Sequence, residues 1–335
     1  MRGLGWTRGA VGVESRTYVG AVHKLRPVLI TYLGPEGTFT EAALRSTPEA
    51  QQPDAELRPE ATVIAALDAV RSGEAAFGFV PFENSVEGAV TSTLDELASG
   101  SALQIRREVL LPIRFALLVR PGTKLADIKT VSGHPHAQPQ CRHWLKANLG
   151  QATWRASASN SDAAREVAAG TTDAALAGAF AAEMYGLEVA VDGVQDRDDA
   201  VTRFILVTAA GMSPPYTGAD RTTLVAFEME DHPGALLEML TEFAVRGVNM
   251  TRLESRPTGE GLGQYCFSID CEGHIDEERV GDVLKALHRL CAEVRFLGSY
   301  PRADGTPPTV RRGTHDADFT GAHAWLSQLR KGDID

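Results

Sequence analysis

Cysteine is scarce in this 335-residue chain, and long apolar segments are missing. No segment is long and apolar enough to span a bilayer, and residues 1–27 carry scattered basic side chains where a signal peptide has its apolar centre. We therefore expect a soluble, cytoplasmic protein that begins with a disordered extension over residues 1–27. The cysteines are too few and too scattered for a disulfide scaffold, which indicates a reducing compartment. The four are Cys141, Cys266, Cys271 and Cys291.

Basic side chains are outnumbered by acidic ones. The chain has 33 Lys and Arg against 44 Asp and Glu, a formal net charge of −11. Because nucleic acids and anionic membranes are bound by basic surfaces, neither is an expected partner. The hydrophobic fraction of 43% is ordinary for a globular protein, and this length favours two domains.

Strand and helix signals alternate from Pro27 to about residue 208. This alternation predicts an α/β domain with a mostly parallel sheet over residues 28–208. Ligands bind such sheets where strands lead into helices, so polar residues at these junctions are expected to surround one cleft. Serine, threonine and asparagine are also good helix N-caps, which is the structural alternative at each position. The junction residues are Thr38, Asn84, Ser85, His134, Ser159, Asn160 and Ser161.

A second, smaller domain follows a linker at residues 209–220. Its pattern over residues 221–300 is βαββαβ, which predicts a ferredoxin-like sandwich. Helices would cover one face of its sheet, so the open face and edges are expected to pair with a second copy. Residues 301–335 are polar and are expected to be disordered, apart from a short helix around residues 323–329.

The segment Thr202-Arg203-Phe204 carries the clearest chemical signal. An arginine suits bidentate capture of a carboxylate, and a threonine offers a hydrogen-bond donor to a leaving group. The alternative is an ordinary strand with a surface ion pair.

Six motifs in order make the sequence resemble the prephenate dehydratase family, in its monofunctional form with a C-terminal regulatory ACT domain. The resemblance extends from about Val28 to Pro301. The motifs are Tyr32-Leu33-Gly34-Pro35-Glu36-Gly37-Thr38-Phe39; Pro81-Phe82-Glu83-Asn84-Ser85 with Gly88 and Thr93; Gly133-His134-Pro135 with Gln140-Cys141; Thr202-Arg203-Phe204; Gly234-Ala235-Leu236; and Glu254-Ser255-Arg256-Pro257.

The resemblance implies a two-lobed, periplasmic-binding-protein-like (type II) catalytic domain with the active site between its lobes. It also implies decarboxylating dehydration of prephenate to phenylpyruvate, water and carbon dioxide, with L-phenylalanine as feedback effector. No cofactor or metal is expected. Partners would be prephenate, L-phenylalanine and further copies of the chain, in a homodimer or homotetramer.

We assign catalysis to Thr202 as donor to the departing hydroxyl and to Arg203 as the cation for a substrate carboxylate. Glu83 is an alternative proton source if burial raises its pKa. Two positions depart from the family pattern, with His136 in place of glutamine and Ala200 in place of asparagine near the donor. The residues assigned to substrate binding are Thr38, Asn84, Ser85, His134, Ser159, Asn160 and Phe204.

The two motifs of the small domain are assigned to phenylalanine. Gly234 stands at a helix start, where backbone N–H groups suit a carboxylate, and a second copy could bring the other motif to it. We therefore expect phenylalanine at an interface between two ACT domains. The assigned residues are Gly234, Ala235, Leu236, Asn249, Glu254, Ser255, Arg256 and Pro257.

Three other interpretations remain open. The protein could be a ligand sensor without catalysis, a prephenate decarboxylase that does not form an aromatic ring, or an enzyme that prefers arogenate. His134, His136 and His143 could be read as metal ligands, but no carboxylate motif accompanies them, and we predict no metal site.

Overall fold

The computed structural model describes residues 27–228, 232–259, 261 and 264–332. Up to Ala209 the chain alternates strands and helices, as the sequence predicts. The elements of this part are β1 (Val28–Leu33), α1 (Phe39–Arg45), β2 (Ala55–Glu60), α2 (Val63–Arg71), β3 (Phe77–Asn84), β4 (Gly88–Ala89), α3 (Thr91–Ala98), β5 (Leu103–Pro112), β6 (Ala116–Val119), β7 (Thr130–Gly133), α4 (Ala137–Gln140), α5 (Arg142–Asn148), β8 (Thr153–Ala156), α6 (Asn160–Ala168), β9 (Ala174–Ala177), α7 (Ala181–Tyr185), β10 (Glu188–Asp192) and β11 (Val201–Ala209).

These elements form two lobes around two sheets. The first lobe has the strand order β2-β1-β3-β11-β5, with β4 paired to β3, and the second has β10-β6-β9-β7-β8. The chain leaves the first lobe after Pro112 and returns at Val201, where β11 inserts antiparallel between β3 and β5. The predicted two-lobed α/β architecture of the periplasmic-binding-protein type is therefore confirmed. The predicted mostly parallel sheet is corrected to two mixed sheets, because β11 in the first lobe and β6 in the second pair antiparallel with both neighbours.

Strand β11 separates two hydrophobic cores. Phe204 and Leu206 pack with Phe79 beneath α1, whereas Ile205 and Val207 belong to a cluster on the other face of the sheet. Since successive side chains of a strand point to opposite faces, both faces of β11 must be covered.

The small domain is an antiparallel sheet of order β13-β14-β12-β15 with two helices on one face. Met239 and Phe243 of the first helix pack on Ile269 of the sheet and on Leu287 of the second helix. The predicted ferredoxin-like βαββαβ module is confirmed. Its elements are β12 (Asp220–Phe227), α8 (Ala235–Val245), β13 (Met250–Pro257), β14 (Tyr265–Glu272), α9 (Glu278–Leu290) and β15 (Glu293–Pro301).

The helix-free face of this sheet is covered by the catalytic domain of the same chain, not left open as the sequence analysis expects. Cys266, Leu297 and Tyr300 join the cluster of Ile105 and Ile205. The approach is close, because a Cβ built on Gly298 would lie 2.7 Å from the carbonyl oxygen of Ile105. The prediction of open-face pairing is corrected, since β5 and β11 present an apolar face of their own that requires burial.

The C-terminal tail, predicted to be disordered over residues 301–335, contains a helix, α10 (Asp316–Lys331), and the prediction is corrected for these residues. A capping box formed by His315 and Asp318 starts it, and the Asp316 carboxylate accepts a hydrogen bond from Glu278 N at 3.0 Å. The expected short helix at residues 323–329 lies inside α10. The predicted extension over residues 1–27 lies, except for Pro27, outside the described residues. Among those described, no helix has the length and apolarity to cross a membrane.

The four cysteines give a test of this fold. All are buried, and burial raises the pKa of Cys141 and of Cys271 to about 12. Because the thiolate is the reactive form, native protein at pH 8 should not react with an aromatic disulfide reagent, and four thiols should react in guanidinium. A rapid reaction of any thiol in the native protein, without loss of fold, would contradict the buried placement.

Candidate active site

Two cavities lie between the lobes. The first, here called the N-cap cavity, has a volume of about 600 Å³. Thr38 and Ser159 line it as helix N-caps, and the Ser159 hydroxyl accepts a hydrogen bond from Asp162 N at 2.9 Å. His134 and Asn160 line the same cavity, and the Asn160 side-chain oxygen accepts a hydrogen bond from His134 N at 2.8 Å. The cavity thus brings together four of the residues assigned to substrate binding.

The second cavity, here called the hinge cavity, has a volume of about 740 Å³ and lies where the chain crosses between the lobes. Both volumes are typical of small-molecule sites. Two of the residues that line the hinge cavity are close in sequence to assigned residues. Val86 comes two residues after Asn84, and Ala200 comes two residues before Thr202. The lining of the hinge cavity is Val86, Glu87, Pro135, His136, Pro139, Gln140, His143, Gln195, Asp196, Arg197 and Ala200.

Side chains bridge the two lobes at several points. Phe39 of the first lobe makes edge contacts with Phe115 and Phe180, each at a ring separation of 5.4 Å. At the hinge cavity, Glu87 accepts a hydrogen bond from the Gln140 side chain at 3.0 Å and pairs with His136. Apolar and polar contacts therefore connect the two lobes.

Other lobe contacts involve the loop before α1. The Ser161 hydroxyl donates to the carbonyl oxygen of Glu36 and lies 2.7 Å from the Tyr185 hydroxyl. Gly37 adopts a φ of +77°, and a Cβ there would lie 2.8 Å from the Ser161 oxygen. A side chain at position 37 would therefore oppose closure of the lobes.

Thr202 is oriented by Asn84 at the start of β11. The Asn84 amide nitrogen donates to Thr202 Oγ1 at 2.8 Å, while its amide oxygen accepts from Val86 N at 2.8 Å and from Glu87 N at 3.1 Å. The Thr202 side chain is 7% exposed, and within residues 27–228, 232–259, 261 and 264–332 no acceptor takes its hydroxyl proton. The Thr202 hydroxyl proton is therefore available for donation, two residues along the chain from Ala200 of the hinge-cavity lining.

Ser85 joins the same two strands from the turn. Its hydroxyl accepts a hydrogen bond from Val201 N at 2.9 Å, and its own N–H donates to Val201 O at 2.9 Å. Ser85 thus fixes the return of the chain into β11, immediately before Thr202.

Arg203 does not face the cleft, and its assignment to a substrate carboxylate is corrected. Its side chain is 4% exposed, with Nη1 2.5 Å from Asp270 and Nε 2.7 Å from Glu108. Nη2 donates to the Tyr300 hydroxyl at 2.7 Å. Because side chains alternate along a strand, the residue after Thr202 points to the opposite face, where the ACT domain covers the sheet.

Glu83 and Phe204 are excluded from substrate contact for different reasons, Glu83 by its face of the sheet and Phe204 by burial. Glu83 is paired in register with Arg203, so it shares that face, and its carboxylate lies 3.5 Å from Arg203 Nη1. Phe204 is buried beneath α1 and stacks on Phe79 at 5.7 Å. The assignments of Glu83 to proton transfer and of Phe204 to substrate contact are corrected on these grounds.

Gln140 is a candidate that residue-by-residue reasoning did not select. Its Oε1 atom is buried and accepts no hydrogen bond from the described residues, and it lines the hinge cavity. Its place in the Gln140-Cys141 motif is the sequence signal that could have identified it as a site residue. Ala200 is 2% exposed, packs with Ile113 and Val194 in the second lobe, and also lines the hinge cavity.

Of the three histidines, His134 and His136 contact each other, and His143 pairs elsewhere. His134 contacts the ring of His136, whereas His143 lies 3.1 Å from Asp196. Burial lowers the pKa of His134, and proximity to His136 lowers it further. Across the described ranges no group of three or more His, Cys, Asp or Glu side chains is arranged to hold a metal ion.

The phenylalanine motifs lie on two elements of the small domain. Gly234, with a φ of +99°, precedes Ala235 and Leu236 at the start of α8, and the second motif lies on the edge strand β13. Arg256 of that motif makes two hydrogen bonds of 3.0 Å to Asp95 in α3 of the catalytic domain. The carbonyl oxygen of Asn249 accepts from Glu272 N at 2.9 Å.

Comparison with known proteins agrees with this architecture. Residues 30–211 match the family model described as prephenate dehydratase, and residues 223–289 match that of the ACT domain. The chain belongs to the prephenate dehydratase family. A prephenate dehydratase of Mycobacterium marinum is 46% identical over 312 residues, covering 90% of this chain and 96% of that protein.

Two solved structures extend the comparison. A prephenate dehydratase from Arthrobacter aurescens in complex with L-Phe is 50% identical with a TM-score of 0.86, covering 91% of this chain and 100% of that one. A protein described as a quorum-quenching acylase is 30% identical with a TM-score of 0.70, covering 82% of this chain and 97% of that one.

The placement of Arg203 predicts a loss of stability on its removal. Arg203→Met would leave Asp270 and Glu108 short of a buried counter-charge, and breaking such a pair costs about 3–5 kcal/mol. Urea denaturation should show this loss. Arg197→Met is the control, because Arg197 pairs with Asp199 at the exposed surface and should leave the midpoint nearly unchanged. If Arg203→Met leaves the urea midpoint unchanged but raises KM for prephenate steeply, Arg203 binds a substrate carboxylate after all.

Proposed function

We propose that this protein converts prephenate to phenylpyruvate, water and carbon dioxide in L-phenylalanine biosynthesis. One observation carries the proposal beyond family membership. Thr202 lies two residues after Ala200 of the hinge-cavity lining, with its oxygen held by Asn84 and its proton uncommitted among the described residues. A group placed in this way can assist the departure of a hydroxyl.

The driving force of the reaction lies in the substrate. As the carbon–carbon bond to the ring carboxylate breaks, its electron pair enters the ring, the para carbon–oxygen bond breaks, and the ring becomes aromatic. The departing oxygen leaves as water, and the balance requires one proton, ultimately from solvent. Thr202 donates a hydrogen bond to that oxygen in the transition state. This chemistry needs the substrate positioned and solvent restrained more than it needs a strong acid.

Recognition of the carboxylates is assigned to groups other than Arg203. The N-cap cavity offers the first N–H groups of α6, a nine-residue helix, together with the side chains of Asn160 and His134. A helix N-terminus carries partial positive charge and suits an anion. Phe39 offers an apolar surface to the ring, and Gln140 offers a buried amide oxygen at the hinge cavity.

Substitution of Thr202 tests its role. Thr202→Val keeps the shape but loses the hydroxyl, and kcat should fall by about two to four orders of magnitude. Thr202→Ser keeps the donor and should remain within about tenfold of wild type. Phenylpyruvate absorbance measures the rate in each case.

A parallel variant separates Thr202 from Glu83. Glu83→Gln should retain near-normal kcat, because its carboxylate lies on the face of the sheet opposite Thr202. An active Thr202→Val together with an inactive Glu83→Gln would move the donor role to Glu83. The same assay with arogenate decides substrate preference, and a decarboxylated product without an aromatic ring would favour the decarboxylase.

Regulation is proposed to be feedback by L-phenylalanine in a cytoplasmic homodimer or homotetramer. The relative from Arthrobacter aurescens is described in complex with L-Phe, and it covers most of this chain. Among the described residues, β13 pairs with β14 along one edge and with no strand along its other edge. Leu253 of β13 is exposed. A second ACT domain could therefore approach the Glu254–Pro257 motif along this edge.

Gly234 provides the test of the effector site. Its φ of +99° is unfavourable for any residue with a Cβ, so Gly234→Ala should disturb the first N–H groups of α8. The phenylalanine concentration for half-inhibition should rise at least about tenfold, in line with typical allosteric coupling energies. Gly305→Ala is the matched control, because Gly305 has a φ of +62° and equally open space around it. Unchanged inhibition in Gly234→Ala would place the effector elsewhere.

A further inference from the structure

Asp270 of the ACT domain is fully buried at the contact with the catalytic domain. Its carboxylate lies 2.5 Å from Arg203 Nη1 and 3.0 Å from Arg252 Nε, and it accepts a hydrogen bond from Thr223 Oγ1 at 2.8 Å. Arg203 belongs to the catalytic domain, whereas Arg252 and Thr223 belong to the ACT domain. One carboxylate therefore joins groups of both domains.

This carboxylate is held in its charged form. Burial alone would raise the pKa of Asp270, but the guanidinium groups of Arg203 and Arg252 outweigh burial and hold that pKa well below its usual range. Tyr300 adds a further contact, since its hydroxyl accepts a hydrogen bond from Arg203 Nη2 at 2.7 Å. Asp270 is accordingly a carboxylate where it meets the two arginines.

Both arginines contact the ring of Phe82, a fully buried residue of β3. The Arg203 guanidinium lies 4.7 Å and that of Arg252 4.6 Å from the centre of its ring. Phe82 is also the extra residue of a β-bulge, because Glu83 is opposite Arg203 and Pro81 is opposite Phe204. Bulges re-aim the side chains that follow them, and Asn84 comes two residues after Phe82.

We propose that Asp270 is a positioning residue for the reaction in the catalytic domain. Through Arg203 and Arg252 it holds the Phe82 bulge, and the bulge sets the Asn84 side chain that orients Thr202. The inference rests on the proposed role of Thr202. A misplacement of about 1 Å by a remote residue can cost about a hundredfold in rate, which is the scale on which such a residue acts.

The arrangement also gives β13 a physical connection to the cleft. Arg252 lies on β13, two residues before Glu254 of the phenylalanine motif. A displacement of that strand would reach Thr202 through Arg252, Phe82 and Asn84.

Asp270→Asn is the principal test, because it keeps the shape of the side chain and removes its charge. We expect kcat for prephenate to fall by about 10- to 100-fold with KM within about threefold of wild type. Glu277→Gln is the matched control. It weakens another ion pair buried within the ACT domain, with Glu277 2.6 Å from Arg279, so it should lower the melting temperature but keep kcat within about twofold.

A milder variant covers the case in which Asp270→Asn does not fold. Arg252→Lys keeps a cation beside Asp270 but removes the planar group over Phe82, and kcat should fall at least about threefold. Wild-type kcat in a folded Asp270→Asn protein overturns the proposal, as does wild-type kcat in Arg252→Lys where Asp270→Asn does not fold.

Hydrogen exchange measured by mass spectrometry gives a readout that does not depend on turnover. In Asp270→Asn or Arg252→Lys, peptides covering residues 80–86 and 200–206 should exchange faster, whereas Glu277→Gln should leave them unchanged. If wild-type protein does not convert prephenate, the proposed function fails, and exchange still decides the mechanical connection. Unchanged exchange in these peptides overturns it.

Discussion

The cluster of charges between β11 and the ACT sheet is the interaction on which the rest of the molecule depends. In this cluster Arg203 of the catalytic domain forms an ion pair with Asp270 of the ACT domain. Because β11 is a strand, Thr202, the residue before Arg203, points to the face of the sheet opposite this cluster. One strand thus carries a candidate donor, Thr202, and the principal polar contact between the domains.

Buried charges of this kind are a costly way to join two domains. The desolvation of each ion can exceed the attraction it gains, and hydrophobic residues of similar size often stabilise a protein as well or better. What the ions add is geometry, because each accepts or donates in fixed directions. Here Arg203 is restrained by Asp270, Glu108 and Tyr300 at once, so its backbone position in β11 is closely defined. An apolar contact would leave that position less restricted.

The sequence predicts much of this structure, and its failures at the domain contact share one cause. The alternation of strands and helices, the N-caps Thr38 and Ser159 and the βαββαβ module are all visible in local patterns. Local patterns do not show which surface covers the second face of a sheet. For that reason local patterns place Arg203 and Glu83 at the cleft and pair the open face of the ACT sheet with a second copy.

The chemistry explains why such positioning can matter more than acid strength. A threonine hydroxyl is a weak acid, and ring aromatisation supplies the driving force for the reaction proposed here. What remains for the protein is to hold the donor in place and to close the site, and both depend on geometry more than on pKa. Asn84 supplies that geometry to Thr202 with a single hydrogen bond of 2.8 Å. Asn84 in turn follows a bulge at Phe82, on which two arginines of different domains lie. A regulatory domain that contributes to this support can alter catalysis without contacting the substrate.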